Sequence, residues 1–526
     1  MRHGKTITAC LLLVSSSKLM AECQPWNEDI ENIKISRIDL DAQNVFNPDI
    51  ENENKSFHQT ANRLRIQTKD HVIRRELLFK VCDQLDLRVL DETERNLRSK
   101  SFIKDALVYP LKQCEDGVVV KVVTKDNWTL QPGISFGVSG GKSKYSFELQ
   151  EKNLFGLGKS LKFKYKKGLV RNEKSIEYYD PNLLGSKRTL RVGYQNNSDG
   201  NQKHFNLTDP FYSLNTKYSW EVDYLDWRLI NPIYNAGKVI DEIGQDIKKS
   251  TIQAGKLIIS GDQKYHRLSV GLTSDESTFF NSADFPSTQL PEMRDYKYPW
   301  IGYEFISEDF IEKTNFNSMG RTEDISLGHQ VNLKLGRDFS NSITHFDFNY
   351  KKGYSLNPDN LVTLNAYAHG IHNSIGLLNT HIGIKAKWHH FQSASKTFFV
   401  STTLDLGKNL FPEQPQYLGA ETGLRGYPFR YFTGDNIWLT TVEQRFFYNW
   451  YPLHTFQFAS AFFIDAGSTW SNGQEKEFFT NVGVGFRLVP TRTSGGQVIH
   501  FDLAFPTESR PNIDSVQLQI RAKKSF

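Results

Sequence analysis

From Trp128 to Phe526 the chain is made of segments of about ten residues in which apolar and polar side chains alternate, the period of a half-buried strand. "HFDFNYKK", "VIHFDLAF" and the closing "VQLQIRAKKSF" show it. In the last of these Val516, Leu518, Ile520, Ala522 and Phe526 fall on one face and Gln517, Gln519, Arg521 and Lys523 on the other. One face suits lipid and the other water. A soluble sandwich also alternates, but it rarely spends nearly 400 residues on a single all-strand body. At roughly 25 residues per strand and connection the region holds about 16 strands, an even number as single-chain bacterial barrels require. The stretch "NPIYNAGKVIDEIGQDIKKSTIQAG" then reads as a long outer loop.

Before Trp128 the period changes. "IKISRIDL" reads as a strand. "VIRRELLFKV" puts Ile73, Leu77 and Val81 on one helical face, and a second helix follows with Asp86 as its cap, Leu90 and Leu97 sharing a face, and Glu94 four residues before Arg98. "SFIKDALVYPL" and "GVVVKVVT" are two more strands joined by a polar turn at Gln113 to Asp116. The region from Ile33 to Asp126 is therefore a small α/β domain in the order strand, helix, helix, strand, strand. The expected division is 1–21 for an export signal, 22–127 for this domain and 128–526 for the strand body.

The export signal rests on Arg2, His3 and Lys5, the apolar run "ITACLLLV", and "LMA" before Glu22, with cleavage after Ser17 as a second reading. Export places Cys23, Cys82 and Cys114 in an oxidising compartment. A Cys82–Cys114 disulfide within the small domain and buried free thiols are the two readings of that set.

Composition then limits the chemistry. A mean hydropathy of −0.50 and the lack of long apolar runs beyond the N-terminus exclude helical spans, and leave strands as the way across a membrane. The 64 Lys and Arg against 59 Asp and Glu form no basic tract, so nucleic acid is not an expected partner. "GVSGG" fits a nucleophile elbow, but alternation follows it where a helix is needed, which puts Ser139 in a hairpin turn. His369, His372, His389 and His390 lack acidic or cysteine partners at a metal-binding spacing. No enzymatic activity, metal or cofactor is expected.

One stretch stands apart: "GLRGYPFRYFTGDN", Gly423 to Asn436, sets Arg425 among rings. With "NLFGLGKSL", "YYDPNLLGS" and "FFIDAGSTW" it resembles the POTRA-plus-barrel outer-membrane proteins, the bacterial surface antigen family, which includes the Bam-complex insertase and the two-partner-secretion transporters. "RELLFKVCDQLD" and "LDETERNLRS" are similar to a single POTRA module, fewer than those relatives carry. The resemblance implies a bacterial outer-membrane barrel with the POTRA in the periplasm, and Leu424, Arg425, Gly426 and Tyr427 on a loop folded inward. Arg425 would meet Glu443 and Asp465 on the wall, with Gly467 making room for the loop. Phe526 would act as the terminal signal read by the outer-membrane assembly machinery. Lipids of the outer membrane and extended client polypeptides are the implied partners, for insertion of barrel proteins or translocation of a secreted chain. A channel for small solutes and an anchor for a periplasmic complex are the alternatives.

Overall fold

The computed structural model describes residues 23–26, 33–43, 67–139, 142–285, 289–320, 322–340, 342–452, 455–471, 473, 476–490, 498–510, 512–523 and 526. The export signal lies outside them. The chain divides into two compact units, one of residues 1–129 with 155–158 and one of 130–154 with 159–526.

In the first unit the strands are β1 (Gln24–Pro25), β2 (Ile35–Gln43), β3 (Ile103–Cys114) and β4 (Gly117–Asp126), and the helices α1 (Asp70–Glu76) and α2 (Leu87–Ser99). The sheet order is β1-β3-β4-β2, with β2 parallel to β4 and the other pairs antiparallel. The core joins Ile35, Val72, Ile73, Leu90, Leu97, Phe102 and the alternate residues Val118, Val120 and Val122. The Asp86 side chain caps α2 by accepting from the Arg88 amide at 2.9 Å. Glu94 pairs with Arg98 at 2.6 Å, and its second oxygen accepts from the Val108 amide, so it serves the edge of β3 rather than water alone. Two expectations fail here. Helix α1 stops at Glu76, because Leu77 turns extended and feeds Leu77 and Phe79 into the core, which leaves Val81 exposed. The disulfide joins Cys23 to Cys114, not Cys82 to Cys114. Pairing of Gln24 with Gln113 and Pro25 with Lys112 lays β1 along β3 and brings Cys23 alongside Cys114, whereas Cys82 lies on the far side of the sheet order, its amide bonded to Ile35 of β2.

The second unit is one antiparallel sheet whose strand order runs once round and returns to its start. Among the described residues it has twenty strands rather than about sixteen. Connections are shorter than expected: Ala236–Gly237, Asp262–Gln263, Pro358–Asp359, Ser374–Ile375 and Ala394–Ser395 are two-residue turns. The expected outer loop from Asn231 to Gly255 is itself strand, the paired ends of Tyr218–Asn235 and the 24-residue Lys238–Gly261. The last strand, Gln517–Lys523, neighbours the first, Leu130–Ser139, where a Cβ on Gly137 would come within 2.8 Å of the Ile520 carbonyl oxygen. Alternate residues such as Ile252, Val270, Leu272, Ile301 and Phe462 form an exposed apolar outer belt, and polar residues face the lumen.

Two segments enter that lumen. Residues 409–435, between the fifteenth and sixteenth strands, fold in from one end. From the other end, where the first strand begins and the last ends, comes the hairpin Phe310–Thr314 with Thr322–Ser326. Phe526 does not share the outer face of its strand: its amide donates to the Asn317 carbonyl at 2.7 Å, and its ring packs on Phe447 inside the barrel.

Candidate functional site

The inward loop is shaped by its own sequence. Gln416–Leu418 pairs with Phe432–Gly434 in a short ladder that closes the loop's neck. Between them the chain turns tightly at Gly423, whose φ of +128° a side chain would resist. Leu418, Leu424, Tyr427 and Phe432 bury themselves against Phe479 of the wall. Phe432 and Phe479 stack with ring centroids 3.7 Å apart. The aromatic residues around Arg425 are thus a small core of their own, which holds the loop against the wall.

Arg425 is 5% exposed. Its Nε and Nη2 donate to the two oxygens of Asp465 at 2.8 and 2.7 Å, and Nη1 donates to Glu443 at 2.9 Å. The guanidinium also lies 3.4 Å from the Phe463 ring centroid. This is a planar fork with two carboxylates on its edge and a ring on its face. Burial disfavours the guanidinium charge, and Asp465 and Glu443 more than offset it, so its pKa lies above the ordinary arginine value.

Strand parity delivers the acids. Phe463 and Asp465 on Phe456–Trp470, and Thr441, Glu443 and Arg445 on Asn436–Phe447, are alternate residues facing the lumen. Asp465 also accepts from Thr441 and from Asn481, both at 2.9 Å, while the second oxygen of Glu443 accepts from Arg445 at 2.8 Å. Every oxygen of both carboxylates is therefore engaged. Gly426 donates to Asn481 at 2.9 Å, and a Cβ there would lie 2.5 Å from that of Asn481. A Cβ on Gly467 would lie 2.8 Å from Leu418. Tyr427 donates to the Thr480 carbonyl at 3.0 Å, and burial pushes its hydroxyl up to about 12, which keeps the proton on it.

Several members of the site were not singled out from the sequence. Asn481 and Thr441 carried no signal beyond their strand parity. Gln519, which donates to the Arg425 carbonyl at 2.7 Å, and Arg521, which donates to that of Ala420 at 3.0 Å, lie on the wet face already legible in the last strand. Long-range partners left no local trace. Arg294 pairs with Glu413 and stacks on Phe411, which ties the loop's rising limb to the tenth strand. On the far wall Tyr234 meets the loop's neck. Its amide donates to the Tyr417 hydroxyl at 3.1 Å, its carbonyl accepts from Thr433 at 3.0 Å, and Arg430 lies over both tyrosine rings. The strands carrying Tyr234 and Asp465 are the seventh and the seventeenth of twenty, so the loop crosses the lumen from wall to wall.

Of the other sequence candidates, His369 stacks on His381, and His389 is buried among Phe316, Phe391 and Phe399. Ser139 ends the first strand. Among the described residues no group of three or more His, Cys, Asp or Glu side chains is placed to hold a metal ion.

Residues 307–525 match the model of the Omp85 superfamily domain. The match takes in the inner hairpin, the last ten strands, the loop and all three of Arg425, Glu443 and Asp465. The arginine clamp therefore lies in the matched part, and Tyr234 lies before it. No curated protein matches the chain by sequence. Solved structures similar to it include BamA from Haemophilus ducreyi lacking POTRA domains 1–3, at 13% identity over 95% of this chain and 88% of that one, with a TM-score of 0.38. CdiB from Escherichia coli is 10% identical over 97% and 92%, with a TM-score of 0.47. CdiB from Acinetobacter baumannii is 11% identical over 93% and 74%, with a TM-score of 0.44.

Proposed function

We propose that this protein is a bacterial outer-membrane barrel that handles polypeptides, inserting barrel proteins or passing a chain outward, with its small domain acting as a POTRA module in the periplasm. The observation that carries the reading is the loop clamped across the lumen of an Omp85 superfamily domain. A lumen spanned by a wired loop suits a conduit that opens on demand, and is a poor design for a standing pore for small solutes. The ring closes where the first strand, Leu130–Ser139, meets the last, Gln517–Lys523, and strand edges freed by opening that seam would be templates for an incoming strand. The small domain offers its own sheet edge in the same way.

The test is capture of clients in cells. A photo-crosslinking residue at Ile134 on the first strand, or at Leu107 on β3, is expected to trap exported polypeptides in transit, and deletion of the gene is expected to deplete particular proteins from the outer membrane or the medium. If neither position traps a chain and the outer-membrane protein profile is unchanged on deletion, the reading is wrong.

A further inference from the structure

Some lysines of the barrel wall come with carboxylates. Lys164 sits 3.1 Å from Glu173, and Lys249 sits 2.8 Å from Asp275. One patch departs from this. The strands Ile343–Asn357, Asn360–Asn373 and Gly376–Ser393 set Lys351 opposite Asn365, Asn365 opposite Lys385, and Thr363 opposite Lys387. Positions 385 and 387 alternate with the outer-face residues Ile384 and Trp388, so both lysines share the lumen face. Together with Lys352 of the first of these strands, these three lysines border a cavity of 280 Å³. Its remaining side is formed by Ser326, Gly328 and Gln330, where the chain leaves the inner hairpin for the wall. Among the described residues no Asp or Glu lines it, and none of the three lysines takes part in an ion pair.

Like charges on neighbouring strands repel, and a confined ammonium loses part of its hydration. Three of them in one recess are stable with an anion between them. Neutral donors are at hand as well. Asn365 accepts from Asn349 at 3.0 Å through its oxygen, which leaves its NH₂ for a ligand, and Thr363 adds a hydroxyl. We infer that this recess binds a phosphate-type oxyanion, taken free or as the headgroup of a phospholipid. Ammonium groups from separate strands suit a compact group with more than one charge and three or more acceptor oxygens better than a carboxylate, for which a guanidinium fork is the usual match. The volume falls below the roughly 300–1,000 Å³ of drug-sized sites, which fits a phosphate with a short substituent rather than a run of polypeptide.

The test uses the full chain in detergent and phosphate-free buffer, titrated calorimetrically with inorganic phosphate and, separately, with dihexanoyl phosphatidic acid below its micelle concentration. Saturable binding of at least one probe is expected. Lys385→Gln with Lys387→Gln should weaken it about tenfold or more, the loss of at least one charge-assisted hydrogen bond. Lys351→Gln alone is the second variant should the pair assemble poorly, and heat-modifiable migration reports assembly of each. Lys203→Gln, which removes a lysine paired elsewhere with Asp226, should leave binding intact. Tighter binding of the phosphatidic acid assigns the headgroup, and equal binding assigns free phosphate. Saturation by neither probe, undiminished binding in both lysine variants, or tighter binding of an oligoglutamate overturns the inference.

Discussion

At Arg425 one side chain holds together groups that the fold cannot leave alone. Arg425→Ala strands Asp465 and Glu443 in a confined lumen, and breaking a buried pair by removing one partner costs about 3 to 5 kcal/mol. The loop is expected to come away from the wall, so that protease added outside cells cuts near Tyr431, and conductance in planar bilayers rises or becomes erratic. Arg425→Lys should rescue only in part, because a point charge cannot fork across two acids. Adding Asp465→Asn to Arg425→Ala should cost less than the sum of the single changes, and clean additivity would show that the two groups are not coupled. Gly426→Ala asks the same question without touching charge. Its new methyl meets the Cβ of Asn481, so the loop should loosen to protease although the ion pairs are chemically intact.

The small sheet and the inner hairpin make separate predictions at the scale of the element. Peptides containing Cys23 and Cys114 should be recovered joined after non-reducing proteolysis, and Cys82→Ser should leave that product unchanged. A joined Cys82–Cys114 pair would overturn the assignment. The hairpin at Phe310 to Ser326 and Phe526 share one cluster with Met319, Phe447, Ala459 and Val489. Phe526 also lies under Arg445 and Arg487, at 4.6 and 5.2 Å from ring centroid to guanidinium carbon. Phe526→Ala should therefore lower the temperature at which the folded band is lost in heat-modifiable electrophoresis, and Phe526→Leu should lower it less, since it keeps most of the packing but not the cation–π contacts. Equal losses would show that the guanidinium contacts add nothing.

Across the whole molecule the loop is a tie between opposite walls, anchored by Arg425 on one side and by Tyr234 on the other. A Cβ on Gly237 would lie 3.8 Å from that of Pro428, inside the range a disulfide spans. Gly237→Cys with Pro428→Cys should thus lock the loop to the Ala236–Gly237 turn when oxidised, and the block on client passage or conductance should lift on reduction. Passage that is indifferent to reductant would mean that the loop need not move. Glu443 extends the tie further, for its two oxygens hold Arg425 of the loop and Arg445 over Phe526.

The sequence alone determined the class of each part, because the period of alternation is a local property. Two-residue spacing marked the strands and the wet face of Gln517, Gln519 and Arg521. The capped, amphipathic run from Asp86 to Ser99 marked a helix, and the resemblance of "LRGY" and "FIDAG" named Arg425, Glu443 and Asp465 for one another. Quantities that depend on where a distant segment lies could not be read in that way. The strand number rose to twenty because turns such as Ala236–Gly237 need only two residues once the flanking strands are paired. Cys23 displaced Cys82 as the partner of Cys114 because a two-residue strand chose the edge of β3. Phe526 turned inward because the inner hairpin offered a backbone carbonyl and an apolar seat, a better place for it than the parity of its own strand assigned. The clasp of Tyr234 on Tyr417 and Thr433 joins residues about 180 to 200 positions apart. Closing the barrel is what makes them neighbours.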